Sequence, residues 1–331
     1  MVGHPEPATG PIDVQTHFLP STMVGVLESR ERQPRIVERG DLRMVEYGDG
    51  AAYPLVEEMV DIERKLEQMD RAGLGMSVLS LNIPGFDGLD PADAPSVARE
   101  VNAEMAEIAS SRPDRLSSLA ALPMQVPQEA AAELERAVAG GMKGAILYSN
   151  AGGRSLDEPD FRVVFETAAR LDAPLLMHPT YPLSAPSLQA HALVPVIGFL
   201  FDTTTATMRL ILDGVFQRHP DLKLIVGHAG SVIPYIVGRI DYESSRIPGG
   251  LGALEGLPSE GIQKLYVDTV TAWPPSLSLV VDYLGADRVL YATDHPFWDP
   301  ARTREAMAEV ELSSADREAI ESGNARRLLG L

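Results

Sequence analysis

The chain contains no cysteine, which removes disulfides, thiolate metal sites and a cysteine nucleophile from consideration. Basic residues are scarce beside acidic ones, 28 against 47 in 331 residues, for a net charge of −19. A surface of that sign disfavours nucleic acid and anionic membrane as partners, since both need a positive face. It also repels an anionic substrate, so a bound carboxylate requires a local cation. No stretch approaches the roughly 18 consecutive apolar residues of a membrane span. The polar start, Met1 to Gly10, lacks the apolar core of a secretory signal, and a cytoplasmic location is expected. With 45 % hydrophobic residues, the chain can nonetheless bury a sizeable core.

Short apolar runs bounded by glycine and proline alternate with amphipathic stretches from end to end. Runs at 12–17, 76–81, 116–122, 144–148, 174–178, 222–227, 265–270 and 289–293 predict strands buried on both faces. Helices are predicted over 59–70, where Met59, Ile62, Leu66 and Met69 recur at spacings of three and four, and over 91–111, 128–139, 159–171, 204–216, 233–239 and 276–284. A further helix opens at Ser313, with Asp316 three residues on. Eight strands, each followed by a helix, match a closed (β/α)8 TIM-like barrel better than a doubly wound open sheet. One α/β domain over 1–331 is expected. Two segments break the alternation. An apolar piece at 194–201 lies in the connection after the fifth strand, and residues 18–56 form an insertion too long for an ordinary βα loop. Inside the insertion, 35–39 and 42–47 flank Gly40-Asp41 as in a small hairpin. Rising from a barrel mouth, it reads as a lid, an oligomer contact or a solvated excursion.

Parallel barrel strands end at one mouth, and the sequence concentrates reactive side chains there: Gln15, His17, Tyr148, His178, His228 and Asp294. A zinc-like ion takes histidine nitrogens and carboxylate oxygens and keeps one position open in a catalytic site. Strand alternation points Gln15 and His17 the same way. His228, on the sixth strand, falls between His178 and Asp294 in barrel order and can touch substrate without being a ligand. Of the other histidines, His4 and His219 read as solvated, and His191 sits in a loop that can reach the mouth. His295 points away from Asp294, in a structural role.

The stretches Ile12-Asp13-Val14-Gln15-Thr16-His17-Phe18-Leu19-Pro20, His178-Pro179, Val226-Gly227-His228-Ala229-Gly230, Gly238-Arg239-Ile240-Asp241, Thr293-Asp294-His295-Pro296-Phe297 and Gly323-Asn324-Ala325-Arg326-Arg327-Leu328 resemble the amidohydrolase superfamily. Within it they are similar to the branch of aminocarboxymuconate-semialdehyde decarboxylase and related nonoxidative decarboxylases. The resemblance covers nearly the whole chain. It implies His17, His178 and Asp294 as ligands of one divalent ion, usually zinc and sometimes manganese. It implies His228 as the acid/base, with Asp294 beside it in proton transfer, and a homodimer acting on a small-molecule substrate. The fourth strand ends in Tyr148, where dinuclear relatives carry a bridging lysine or glutamate, so the implied site is mononuclear.

The chain departs from the family's His-x-His pattern at Gln15, a position where some members carry glutamate. Gln15 reads three ways: a weak ligand through its carbonyl oxygen, a hydrogen-bond partner of substrate or metal-bound water, or the mark of a metal-free barrel. The reaction implied is decarboxylation of an aromatic or unsaturated carboxylic acid. Hydrolysis of an amide or lactone, or a hydration, would use the same residues through metal-bound water. A noncatalytic barrel is the third reading. Tyr148, Phe297, Trp298 and Phe18 are candidates for an aromatic slot. Arg239, or Arg246 from a neighbouring subunit, is the candidate counter-charge for the substrate.

Overall fold

Eight parallel strands follow one another around a closed barrel: Ile12–Phe18, Met76–Leu81, Leu116–Ser118 continued by Ala120–Ala121, Ala145–Tyr148, Leu175–His178, Leu224–Val226, Tyr266–Asp268 and Val289–Leu290. The structure is a computed structural model that describes residues 10–331; His4 and the tail before Gly10 lie outside them. Closure rules out the open sheet. Val14 N donates to Tyr291 O (3.0 Å), Asp294 N to Gln15 O (2.9 Å) and His17 N to His295 O (2.8 Å), zipping the eighth strand onto the first.

The first strand carries a bulge between Asp13 and Thr16, where its register with the second strand shifts. An extra residue reverses side-chain parity. Ile12 and Val14 pack in the barrel interior with Val78, Leu176, Ile225 and Leu290. Gln15 and His17, of the opposite parity, also reach inward to Asp294. The Asp13 carboxylate staples the bulge, accepting from Gln15 N (3.2 Å), Thr293 N (3.0 Å) and Thr293 Oγ1 (2.5 Å).

The helices lie outside the barrel near their predicted positions, but several bounds differ; the one expected over 233–239 runs on to Arg246. Residues 194–201 are no separate apolar piece. A π-helical turn, Val194–Gly198, runs straight into the helix Phe199–Leu212, because nothing between 199 and 204 interrupts it. The expected continuation to 216 is broken instead at Gly214, whose φ of 78° suits glycine. The 59–70 prediction resolves into Ile62–Ala72, capped by the Asp61 carboxylate and ended by Gly73 in the left-handed conformation. Ser313 caps its helix as expected, accepting from Asp316 N. Among the described residues no helix is long and apolar enough to cross a membrane.

The insertion holds a helix, Ser21–Glu28, and three antiparallel strands, Arg35–Arg39, Leu42–Gly48 and Ala51–Pro54, one more than the hairpin expected. It folds back over the mouth. Tyr53 Oη donates to Ile83 O (2.6 Å) and Tyr181 Oη to Asp49 O (3.0 Å), so the small sheet rests on the loops after the second and fifth strands.

Candidate metal centre

Three strand ends bring His17, His178 and Asp294 together. All three are buried, and each offers a ligand atom within 4.8 Å of the others. Asp294 Oδ1 lies 2.9 Å from His17 Nε2 and 3.5 Å from His178 Nε2, while Oδ2 lies 3.5 Å from His228 Nε2. Gln15 Nε2 donates to Oδ1 at 2.9 Å. Burial pushes the Asp294 carboxyl up, but the three surrounding imidazoles outweigh it and hold the group well below the usual carboxylate range. Burial, and then the neighbouring His17, lower His178 to about 4.

Backbone strain marks the same place. Asp294 (φ 59°) and His228 (φ 59°), followed by Ala229 (φ 53°), occupy the left-handed region that non-glycine residues rarely adopt. The cost is of order 1–2 kcal/mol for each, and such strain clusters at functional sites. For His228, burial opposes the charge, yet the carboxylates of Asp294 and Asp268 overcome it and raise its pKa. An imidazole that takes up a proton readily, beside an ionised aspartate, is a competent proton donor.

Around these groups stands a second ring of partners, part of it invisible to the sequence reading. Ser80 Oγ donates to Thr16 O and lies 3.3 Å from His17 Nδ1. The carbonyl of Pro179 lies 2.7 Å from His178 Nδ1. The Pro179 carbonyl can only accept, so it places the His178 ring proton on Nδ1 and leaves that Nε2 lone pair directed inward. Lys65, buried at 1 % exposure, donates to His17 O (2.9 Å) and Thr16 Oγ1 (3.1 Å) and meets His295 Nδ1 at 2.8 Å. His295 thus has the structural role expected of it. Burial lowers the Lys65 ammonium to about 7, Asp13 opposing. Asp268, at the end of the seventh strand, accepts from Ala229 N (2.8 Å) and Val270 N (3.0 Å) and so holds the loop that carries His228. Lys65 and Asp268 were both missed. The available signals were a lysine on the stripe of Ile62 and Met69, and one more carboxylate at a strand end.

Above the centre lies a cavity of about 440 Å³, into which His178, His228 and Asp294 project. The insertion supplies its roof through Tyr47, Ala52, Tyr53 and Pro54. Trp298 and Phe297 line it. Other residues singled out in the sequence are placed differently. Arg239 and Arg246 are exposed on the helix Ile233–Arg246, because both fall on its solvent side, and Arg246 pairs with Glu243. Tyr148 is held behind the wall by its hydroxyl, which donates to Leu81 O (2.8 Å) and Asn82 O (3.2 Å). Phe18 belongs to the hydrophobic core. His191 is exposed and lines no part of the cavity, and His219 is half-buried rather than solvated.

A divalent ion fits this donor set. His178 Nε2 is buried without a hydrogen-bond partner, and so is Gln15 Oε1; uncompensated buried polar atoms are costly and call for an occupant. Two neutral imidazoles and an ionised carboxylate are the donors such an ion takes. Gln15 is fully buried and lines no part of the cavity, so its amide faces Asp294 and not a substrate.

Comparison with known proteins accords with this geometry. The sequence model of the amidohydrolase family matches residues 12–331. Gamma-resorcylate decarboxylase of Rhizobium sp. (strain MTP-10005) is 32 % identical over 289 residues, covering 82 % of this chain and 88 % of its own length. The 2-amino-3-carboxymuconate-6-semialdehyde decarboxylase of Dictyostelium discoideum is 30 % identical over 279 residues, covering 82 % and 77 %. The dihydroxybenzoic acid decarboxylase of Polaromonas sp. JS666, solved with bound manganese and the inhibitor 2-nitroresorcinol, superposes with a TM-score of 0.82 at 28 % identity, covering 97 % of each chain. The chain belongs to the amidohydrolase family, within its branch of nonoxidative carboxy-lyases.

Proposed function

We propose that this protein is a metal-dependent nonoxidative decarboxylase of an aromatic or unsaturated carboxylic acid. The observation that carries the reading is the convergence of His17, His178 and Asp294 beneath a cavity into which His228 also projects. His17, His178 and Asp294 would hold the ion, with Gln15 Oε1 as a weak fourth donor. When bound, a divalent ion supplies a Lewis acid and a template for the carboxylate and a neighbouring oxygen. Two imidazoles suit zinc; the hard carboxamide oxygen of Gln15 favours manganese.

The protein's own part is to orient the acid and deliver a proton. His228 Nε2 gives its proton to the ring carbon that bears the carboxylate, and the electron pair forming the new C–H bond comes from the ring. The carbon–carboxylate bond then breaks, its electrons restore conjugation, and carbon dioxide leaves. His228 ends neutral and recovers a proton from solvent. Asp294, held ionised, stabilises the imidazolium before transfer. The apolar walls exclude water from the reacting carbon.

The same reading includes a homodimer, supported by Tyr235, Tyr242 and Ile247, which stand 50 %, 66 % and 50 % exposed on and just after one helix.

The test pairs metal analysis with carbon dioxide release from hydroxybenzoates and muconate-like acids. One ion per chain and release of carbon dioxide are expected. His228→Asn should retain the ion and lose turnover by about 10²- to 10⁴-fold. A variant of full activity would remove His228 from the mechanism, and protein that neither holds nor responds to zinc or manganese would overturn the reading.

A further inference from the structure

The cavity is chemically one-sided. Its charged and titratable catalytic groups all stand at the floor, in His178, His228 and Asp294. The walls are Ile83, Pro195, Phe199, Leu200 and Phe297, and no lysine, arginine, asparagine or glutamine is among the described residues that line it. Polarity in the rest of the lining is neutral and sparse. Tyr53 spends its hydroxyl on Ile83 O, which leaves the Tyr47 hydroxyl and the Trp298 indole. The arginine in the adjoining cleft, Arg302, stands on the far side of Phe297 and Trp298 and pairs with Glu305 at 3.3 Å. Val196 lines the cavity while remaining 59 % exposed, so the space opens along the start of the helix that follows the fifth strand.

Two consequences follow from elementary solvation. A second carboxylate on the substrate would sit against hydrocarbon with no cation to meet it, and an unpaired buried charge is strongly disfavoured. An uncharged apolar group packed against Ile83, Phe199 and Leu200 would gain about fourfold in affinity for each methylene removed from water.

We propose, building on the decarboxylase reading, that the substrate is an aromatic monocarboxylic acid bearing an uncharged apolar substituent larger than a methyl group. The substituent, an alkyl chain or a second ring, runs from the floor along the wall of Ile83, Phe199 and Leu200. Dicarboxylic acids are excluded by the same wall.

The experiment compares three ligands on the manganese-loaded protein: a hydroxybenzoic acid, the best of its butyl-substituted isomers, and the dicarboxylic acid with a carboxylate in place of that butyl group. Affinity is read by calorimetry and turnover by carbon dioxide release. The butyl acid is expected to bind at least about tenfold tighter than its parent, and the dicarboxylic acid on the order of 100-fold weaker than the butyl acid. A dicarboxylic acid that binds as well as the butyl acid, or a parent acid that binds better, would overturn the inference. Phe199→Arg places a cation on the wall and is expected to shift the order toward the dicarboxylic acid; an unshifted order would show that this wall does not meet the substituent. Because affinity is read apart from turnover, the two readings fail separately. Absence of carbon dioxide from every acid refutes the decarboxylase, whereas a reversed binding order refutes the substrate class alone.

Discussion

Gln15 presents its amide nitrogen to Asp294 Oδ1 and leaves its oxygen without a partner, and this arrangement sets what a single substitution will do. Gln15→Glu exchanges a donor for a second carboxylate beside an ionised one. In metal-free protein the like charges repel, and a fall in stability of about 1–3 kcal/mol is expected. With metal the added anion becomes a ligand, so affinity should rise. Urea unfolding without metal and a competitive metal titration measure the two effects, and changes of the same sign would disprove the arrangement. The converging residues themselves were legible, since His17, His178 and Asp294 each end an apolar run. Tyr148 ends such a run too, yet its hydroxyl turns to the backbone of the second strand. Position along a strand is written in sequence; the partner that captures a side chain depends on neighbours far along the chain.

At the scale of elements, the helix Ile62–Ala72 does more than cover the barrel. Its buried Lys65 binds the His17 carbonyl on the first strand and His295 beyond the eighth, and so fixes the spacing between the two strand ends that carry His17 and Asp294. Lys65→Met would leave those acceptors unpaired. It is expected to weaken metal binding about 10- to 100-fold and to cost about 1–3 kcal/mol in stability. Metal affinity by dye competition is the decisive readout, because a merely structural lysine would lower stability and leave affinity intact. Helix periodicity located this element but not the role of Lys65, whose one signal was a charge on an apolar stripe. The bulge at Val14–Gln15 had no such signal. Simple alternation already aimed Gln15 and His17 together, and only the pairing with Met76–Leu81 shows the extra residue.

For the whole molecule, closure of the barrel traps imidazoles where protons are unwelcome. His178 titrates near 4 and His295 near 3, each lowered first by burial from an ordinary 6.5. A depressed histidine is protonated more readily in the unfolded chain, so its contribution to stability is complete above pH 6.5 and is lost as pH falls from 6.5 through about 4. For His178 alone that amounts to roughly 3 kcal/mol. The urea midpoint of metal-free protein should fall across this range, and His178→Asn should flatten the fall; parallel curves for the two proteins would contradict it. Eight strand–helix repeats were enough to recognise the barrel. That the insertion rises from the mouth was readable; the choice of a roof among the three readings was not, since it rests on single contacts such as Tyr181 with Asp49.

That roof also separates two kinds of change. His17, His178, His228 and Asp294 sit on or just beyond barrel strands whose packing tolerates little, whereas Tyr47, Ala52, Tyr53 and Pro54 come from one short contiguous segment outside the barrel. A lineage can therefore exchange this segment and meet a new acid without disturbing the machinery below.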